Sequence, residues 1–213
     1  MRSYLIVIFI SLSAAQARSE TIGAYSVEWL TSASRIVAVG EIKSVEKVKG
    51  PSEVVYEIYT FKPAQIFKGK GAKTFSFTIR TFSTEPVFEH VLNLNDRIIV
   101  FLKDYDSGEQ FLKGKLVPTT DQVPLSVAKT DGLKFFISLN FKVMKNEEEL
   151  LGPVKEALRS EAKYLKTHKH SEIRRFYLEA PMGSEADRAL YAGSTTFLFV
   201  PNFMSRDARE KLF

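Results

Sequence analysis

A glycine in the middle of a strand constrains this chain more than any other feature. Residues 35–45 (RIVAVGEIKSV) carry Ile36, Val37, Val39, Ile42 and Val45 in one β-rich run, with Gly40 at its centre. Glycine weakens a strand interior, so its presence there marks a bulge, a sharp bend or a close backbone approach. A long first strand bent at such a point can serve both sides of a small closed barrel. The segments that follow fit that expectation. Lys49-Gly50-Pro51-Ser52 reads as a turn. Residues 53–67 (EVVYEIYTFKPAQIF) read as a strand apolar on both faces, with Pro63 demanding an edge or a bulge, and Lys68-Gly69-Lys70-Gly71 ends it.

The clearest alternation lies in residues 74–82 (TFSFTIRTF): Phe75, Phe77, Ile79 and Thr81 share one side, Ser76, Thr78 and Arg80 the other. Leu94-Asn95-Asp96 turns into a buried strand over residues 97–102, and Asp106-Ser107-Gly108-Glu109 into a shorter one over residues 110–116. Residues 123–143 hold one or two more, with Thr130-Asp131-Gly132 as a hairpin turn. The sequence therefore predicts an antiparallel β unit of five to seven strands over residues 35–143. A short helix precedes it at residues 25–34, capped by Ser26, with Val27, Leu30 and Ala33 on one face.

Residues 146–213 read differently. Asn146 and Glu149 make a capping-box pattern, and Leu151, Val154, Leu158, Ala162 and Leu165 form an apolar stripe. An interior proline costs ~3 kcal/mol, so the expectation is a main helix starting near Pro153 after one separate turn. Residues 173–178 and 195–200 read as short strands, and Ser184 and Ser205 as caps of short helices. Such short strands need another surface to bury them. The fold class expected is thus α+β: a barrel domain over residues 18–145 and a small α/β segment over residues 146–213 packed on it.

The first seventeen residues have the layout of a secretory signal peptide. Arg2 supplies the positive end, residues 4–12 (YLIVIFISL) an apolar core, and Ala15-Gln16-Ala17 a small-x-small cleavage site. That core is too short to span a bilayer, which takes ~20 residues. The expected mature protein begins at Arg18, keeps 196 of the 213 residues, has no further membrane span and works in the periplasm or outside the cell. The chain has no cysteine. That removes disulfide scaffolds, thiol catalysis and Cys-ligated zinc together, and makes a bacterial exported protein the simplest host. The net charge of +5, one less once Arg2 is removed, is mild and mixed, so no nucleic-acid partner is expected.

Ser32-Ala33-Ser34-Arg35-Ile36-Val37-Ala38-Val39-Gly40-Glu41-Ile42 resembles the opening of OB-like secreted domains of the netrin/TIMP-like type. Tyr59-Thr60-Phe61 through Ile66-Phe67-Lys68-Gly69 resembles their second strand, and residues 94–102 (LNDRIIVFL) a later one. The likeness covers residues 25–120 and implies an OB-like antiparallel barrel. Metalloproteinase inhibitors of that type place a cysteine at the mature N-terminus to reach the protease zinc. Here that position is Arg18, so their inhibitory chemistry does not carry over.

Motifs for chemistry are sparse. His168 and His170 flank Lys169 and lack a third ligand nearby, so they read as an exposed basic linker rather than a metal site. Asp104-Tyr105-Asp106-Ser107-Gly108 opens like a calcium loop, but Glu109 stands where that loop needs glycine and Lys115 where it needs glutamate. Gly71-Ala72-Lys73-Thr74 lacks the glycine that a phosphate loop places directly before its lysine. There is no G-x-S-x-G, and Ser184 reads as a cap. Glu147, Glu148 and Glu149 sit where a helix dipole favours acids. No catalytic residue, metal ligand or cofactor is assigned.

The strongest local charge bias is basic: Lys163, Lys166, Lys169, Arg174 and Arg175. If the chain takes an anionic ligand, these residues are the expected patch. The functional expectation is an exported, non-catalytic binding or interaction module for a protein or a glycan, anionic glycans included. The rivals are a secreted hydrolase with a dispersed site and, by analogy of fold alone, a protease inhibitor.

Overall fold

Two stretches of this chain, residues 36–40 and 98–102, are buried on both faces, and the layers of the fold follow from them. The structure is a computed structural model and describes residues 21–50, 54–81, 92–120, 127–129, 135–136, 143–144, 147–180 and 195–210. Its elements in chain order begin with β1 (Thr21–Tyr25), α1 (Val27–Ala33), β2 (Ile36–Lys49), β3 (Val55–Lys68), β4 (Phe75–Thr81) and β5 (Arg97–Asp104). A 3-10 turn at Gln110–Leu112 leads to β6 (Leu116–Pro118), β7 (Val127–Lys129), β8 (Phe135–Phe136) and β9 (Val143–Met144). Next come α2 (Glu147–Tyr164), a 3-10 turn at His170–Glu172, β10 (Arg175–Ala180), β11 (Thr195–Pro201) and α3 (Arg206–Glu210).

Strands β2, β3, β4, β6 and β5 are hydrogen-bonded in that order, and β5 returns to β2 from Ile36↔Leu102 to Glu41↔Arg97. The result is a closed five-stranded barrel of OB-like, α+β architecture. Its pairs are antiparallel except at the β4–β6 seam, which is parallel and rests on Phe77↔Leu116. Ile36, Ala38 and Ile42 fill the barrel together with Tyr59, Phe61, Phe77, Ile98, Val100 and Leu102. Val37, Val39, Ile99 and Phe101 point outward and are covered by Val27 and Leu30 of α1 and Val154 of α2. Because each face of β2 and β5 has its own cover, their sequences run apolar without alternation. β7 adds to β5, and β8 pairs with β9.

Gly40 faces Pro63 in the β2–β3 ladder, at a register shift. A Cβ on Gly40 would stand 2.2 Å from the Lys62 carbonyl oxygen and 2.7 Å from Pro63 Cα. So the glycine and the proline of the two runs make a single bulge, the glycine giving room and the proline needing no ladder donor. A second shift follows: Ile42 faces Phe61, and Ser44 faces Thr60, so Lys43 is extra. That extra residue returns Val45 to the side of Tyr59, three positions after Ile42 rather than two or four. Gly69 has φ +86°, and a Cβ there would meet the Arg35 carbonyl oxygen at 2.3 Å. It lets β3 end against the start of β2.

Several expectations are corrected. Residues 110–112 form a 3-10 turn instead of opening a strand, and the strand, β6, begins only at Leu116. Their apolar residues have a different use: Leu112 and Phe111 pack on Tyr56, outside the barrel. The helix expected to begin near Pro153 runs unbroken from Glu147, with Pro153 inside it. Burial of Val154 and Ala157, and the pair from Arg97 Nε to Glu147 Oε2 at 2.8 Å, hold the preceding turn in line. The apolar stripe also differs. Ala162 is exposed, and the buried position on that turn is Glu161. Residues 21–25, for which the sequence predicted no strand, form β1, parallel to β11, with β10 antiparallel on the other side. The first described strand thus shares a sheet with the last two. The proposed leader, the Thr130-Asp131-Gly132 turn and the Asn146 and Ser184 caps lie outside the described residues.

The capping of α1 follows the sequence: Ser26 Oγ accepts from the Trp29 amide at 3.0 Å. Glu28, in the first turn of α1, has its carboxyl pushed up by burial, against hydrogen bonds from its own backbone and Ser26 that pull it down. Its Oε2 is buried with no hydrogen-bond partner among the described residues. A folded-state value above the unfolded one gives stability that is present at acid pH and lost as pH rises through the folded value. Glu28→Gln is therefore expected to stabilise the protein at pH 7, on the order of 1 kcal/mol, and to change little near pH 4. Urea denaturation at both pH values checks this, and an equal effect at both would refute it.

Candidate functional site

The outer face of β3 and β4 is built by alternation. Tyr59, Phe61, Phe77 and Ile79 take the barrel interior, so Ile58 and Thr60 on β3 and Ser76, Thr78 and Arg80 on β4 point away from it. The register sets Ile58 beside Thr78 and Thr60 beside Ser76. The β5–β6 connection folds over one end of this face. It is closed by the Tyr105 amide to the Lys115 carbonyl at 3.0 Å and the Lys115 amide to the Leu112 carbonyl at 2.9 Å. Phe111 packs on Tyr56, ring centroids 4.3 Å apart, and Lys115 Nζ lies 3.6 Å from the Phe111 ring centroid.

Between that connection and the strands, at the thin β4–β6 seam, lies a cleft of about 410 Å³. Ile58, Ser76, Thr78, Lys115, Arg35 and Asp104 line it. Arg35 and Asp104 come from the first residues of the barrel and the end of β5, and pair with each other across the rim. Both side chains are more than half exposed, 59% and 55%. Such a pair contributes little stability, and its two charges remain open to a ligand. Arg80 Nη1 and Glu109 Oε2 make a second pair nearby at 3.7 Å. Two hydroxyls, an apolar floor residue and two cations, Arg35 and Lys115, against the one carboxylate of Asp104 suit a polar ligand that is neutral or carries a single negative charge.

A strongly shifted titratable group sits elsewhere. Burial, then its hydrogen bond to Glu57, pushes the Tyr59 hydroxyl above the ordinary tyrosine range. Tyr59 is a barrel-interior residue that binds Glu57, and Glu57 also pairs with Lys47 at 2.9 Å. His168 stacks on Tyr164 with centroids 4.0 Å apart, and His170 Nε2 lies 3.7 Å from Glu161 Oε1. Among the described residues no three metal-ligating side chains gather.

The five basic residues singled out in the sequence are all exposed. Lys163 is in the last turn of α2, and Lys166 follows it. Lys169 opens the 3-10 turn, its amide bonded to Glu172 Oε2 at 2.7 Å. Arg174 exchanges backbone bonds with Asn202: its amide to Asn202 Oδ1 at 3.0 Å, and the Asn202 amide to its carbonyl at 2.9 Å. Arg175 takes another direction. Its guanidinium lies 4.6 Å from the Phe199 ring centroid and 5.9 Å from that of Trp29.

Compared with protein-family models and with curated proteins, the chain matches none. The OB-like barrel is a statement of fold, and fold alone does not give function. Among the described residues no helix is long and apolar enough to cross a membrane.

Proposed function

We propose that this chain is an exported, non-catalytic binding module, a bacterial relative of netrin/TIMP-like domains, whose seam cleft receives a polar segment of a glycan or a protein. The N-terminal leader supports export. The cleft is the observation that carries the binding role. It has the volume of a small-ligand site and offers hydroxyls beside paired charges. It also lies where small barrels of this class hold oligomeric ligands, on the second and third barrel strands beside the loop joining the fourth and fifth. In this chain those are β3, β4 and residues 105–115.

Ser76→Trp tests the reading. Ser76 is exposed on the cleft wall, so an indole there fills the site without entering the core. On arrays of glycans and peptides the mature wild type should retain a defined ligand, and Ser76→Trp should lose it while keeping the wild-type Tm. Equal retention by both proteins, or no ligand on either array, overturns the proposal.

A further inference from the structure

The end of β3 and the last turn of α2 meet in one corner of the molecule. Lys68 Nζ lies 2.8 Å from Glu161 Oε1, and His170 Nε2 lies 3.7 Å from the same oxygen. One turn on from Glu161, the Tyr164 hydroxyl accepts from Asn202 Nδ2 at 3.0 Å, and Asn202 Oδ1 accepts from the Arg174 amide at 3.0 Å. Residues three apart on a helix are neighbours. That single turn therefore ties together the β3–β4 loop, the connection from α2 to β10 and the approach to β10.

Six cations leave from this corner. Lys70 and Lys73 are on the β3–β4 loop, Lys163 ends α2, Lys166 and Lys169 follow it, and Arg174 precedes β10. All six are exposed, and among the described residues none pairs with a carboxylate. The barrel treats its cations differently: Lys43 pairs with Glu41, Lys47 with Glu57 and Arg80 with Glu109. Residues 68–74 and 161–175 hold only two acids, Glu161 and Glu172. Glu161 is taken by Lys68, and Glu172 Oε2 accepts from the Lys169 amide at 2.7 Å. Arg175, held over the Phe199 ring, is not part of this surface.

Five of the six cations are lysines. A lysine is a hydrated point charge on a flexible stem, without the fork that fixes an arginine on a carboxylate. Protein interfaces are enriched in arginine and depleted of lysine. This surface therefore reads charge density rather than the shape of a folded partner. A lipid-bound face adds apolar side chains that enter the bilayer. Phe176, the exposed large apolar residue nearest in sequence, has the Arg209 guanidinium 5.7 Å from its ring centroid instead. We infer that this corner binds an acidic polysaccharide, whose charged chain crosses from the β3–β4 loop to the end of α2. It shares no residue with the seam cleft, so the two stand or fall apart.

Immobilised heparin is the probe, read by NaCl elution and by titration in solution. The mature protein should be retained, and log affinity should fall linearly with log salt as counterions are released. Lys70→Gln/Lys73→Gln and, separately, Lys163→Gln/Lys166→Gln should each elute earlier and reduce that slope by about 2, one for each lost cation. Lys49→Gln/Lys113→Gln is the matched control, since it removes the same charge from exposed residues. Lys49 faces Val55, the first residue of β3, at the opposite end from Lys68, and Lys113 follows Leu112, which packs on Tyr56 there. This control should elute with the wild type, and all three variants should keep its Tm, because none of the substituted side chains holds an element in place. Four results each overturn the inference: no retention on heparin, either corner variant eluting with the wild type, the control eluting as early as the corner variants, or phosphatidylglycerol vesicles displacing the protein from heparin at equal charge.

Discussion

Gly40→Val is expected to lower the Tm by roughly 5–10 °C or to prevent folding. The nearest atoms to a new Cβ are backbone, the Lys62 carbonyl oxygen at 2.2 Å and Pro63 Cα at 2.7 Å, so no side-chain rotation relieves the clash. Overpacking typically costs 1–3 kcal/mol and more where the backbone must move, and 1 kcal/mol is worth about 2–4 °C in a chain of this size. The displaced strands are the two that carry the longest ladder in the barrel, and β2 also closes the barrel against β5 through the same residue, Gly40↔Ile98. Gly108→Ala is the matched control. It lies in a turn with nothing within 4 Å of the new methyl and should leave the Tm unchanged. Thermal denaturation of the two variants decides the matter, and a Gly40→Val protein that melts like wild type would remove close approach as the reason for the glycine.

The barrel was legible because its signals are local. Gly40 and Pro63 announce their irregularity separately in the sequence, and the structure places them opposite each other. The alternation of residues 74–82 settles which side of β4 enters the core, and Phe77 and Ile79 are buried as that pattern requires. What was not legible depends on partners far along the chain. The run TIGAY carries no alternation, and only pairing with β11 makes it a strand. Phe111 and Leu112 are apolar enough for a strand, and nothing local says that Tyr56 waits for them on another. Glu161 carries a charge, so a stripe read from apolar residues alone steps past it to Ala162.

The cleft was hidden for a similar reason. Ser76 and Thr78 are the polar half of an alternating strand, and the same letters would serve a face turned to open solvent. Arg35 and Asp104 are brought to one rim only when β5 closes on β2, whose first pair, Ile36↔Leu102, sets them side by side. Charge density singled out Lys163, Lys166, Lys169 and Arg174, but not the company they keep. Lys70 and Lys73 join them through the Lys68–Glu161 pair, which no spacing in the sequence encodes.

Lys68→Met should be the costliest single change to a polar residue, about 3–5 kcal/mol, the range for breaking a buried ion pair. Lys68 Nζ donates to the carbonyl oxygens of Thr31 and Ser32, both at 2.9 Å, and to Glu161 Oε1 and Oε2 at 2.8 and 2.9 Å. One ammonium thereby joins the end of β3, the last carbonyls of α1 and the buried face of α2, and the two side chains are only 19% and 6% exposed. Its loss leaves a buried carboxylate and an uncapped helix end together. Glu161→Leu removes the acid but strands the ammonium, which keeps its two carbonyls, so that loss should be smaller. The double variant Lys68→Met/Glu161→Leu removes both charges and should be more stable than the two single losses summed, by about 0.5–3 kcal/mol of coupling. It should still fall short of wild type, because the α1 carbonyls stay without a donor. Urea denaturation of the four proteins closes the cycle. Strictly additive losses would mean that Lys68 serves α1 alone and that Glu161 is buried for another reason.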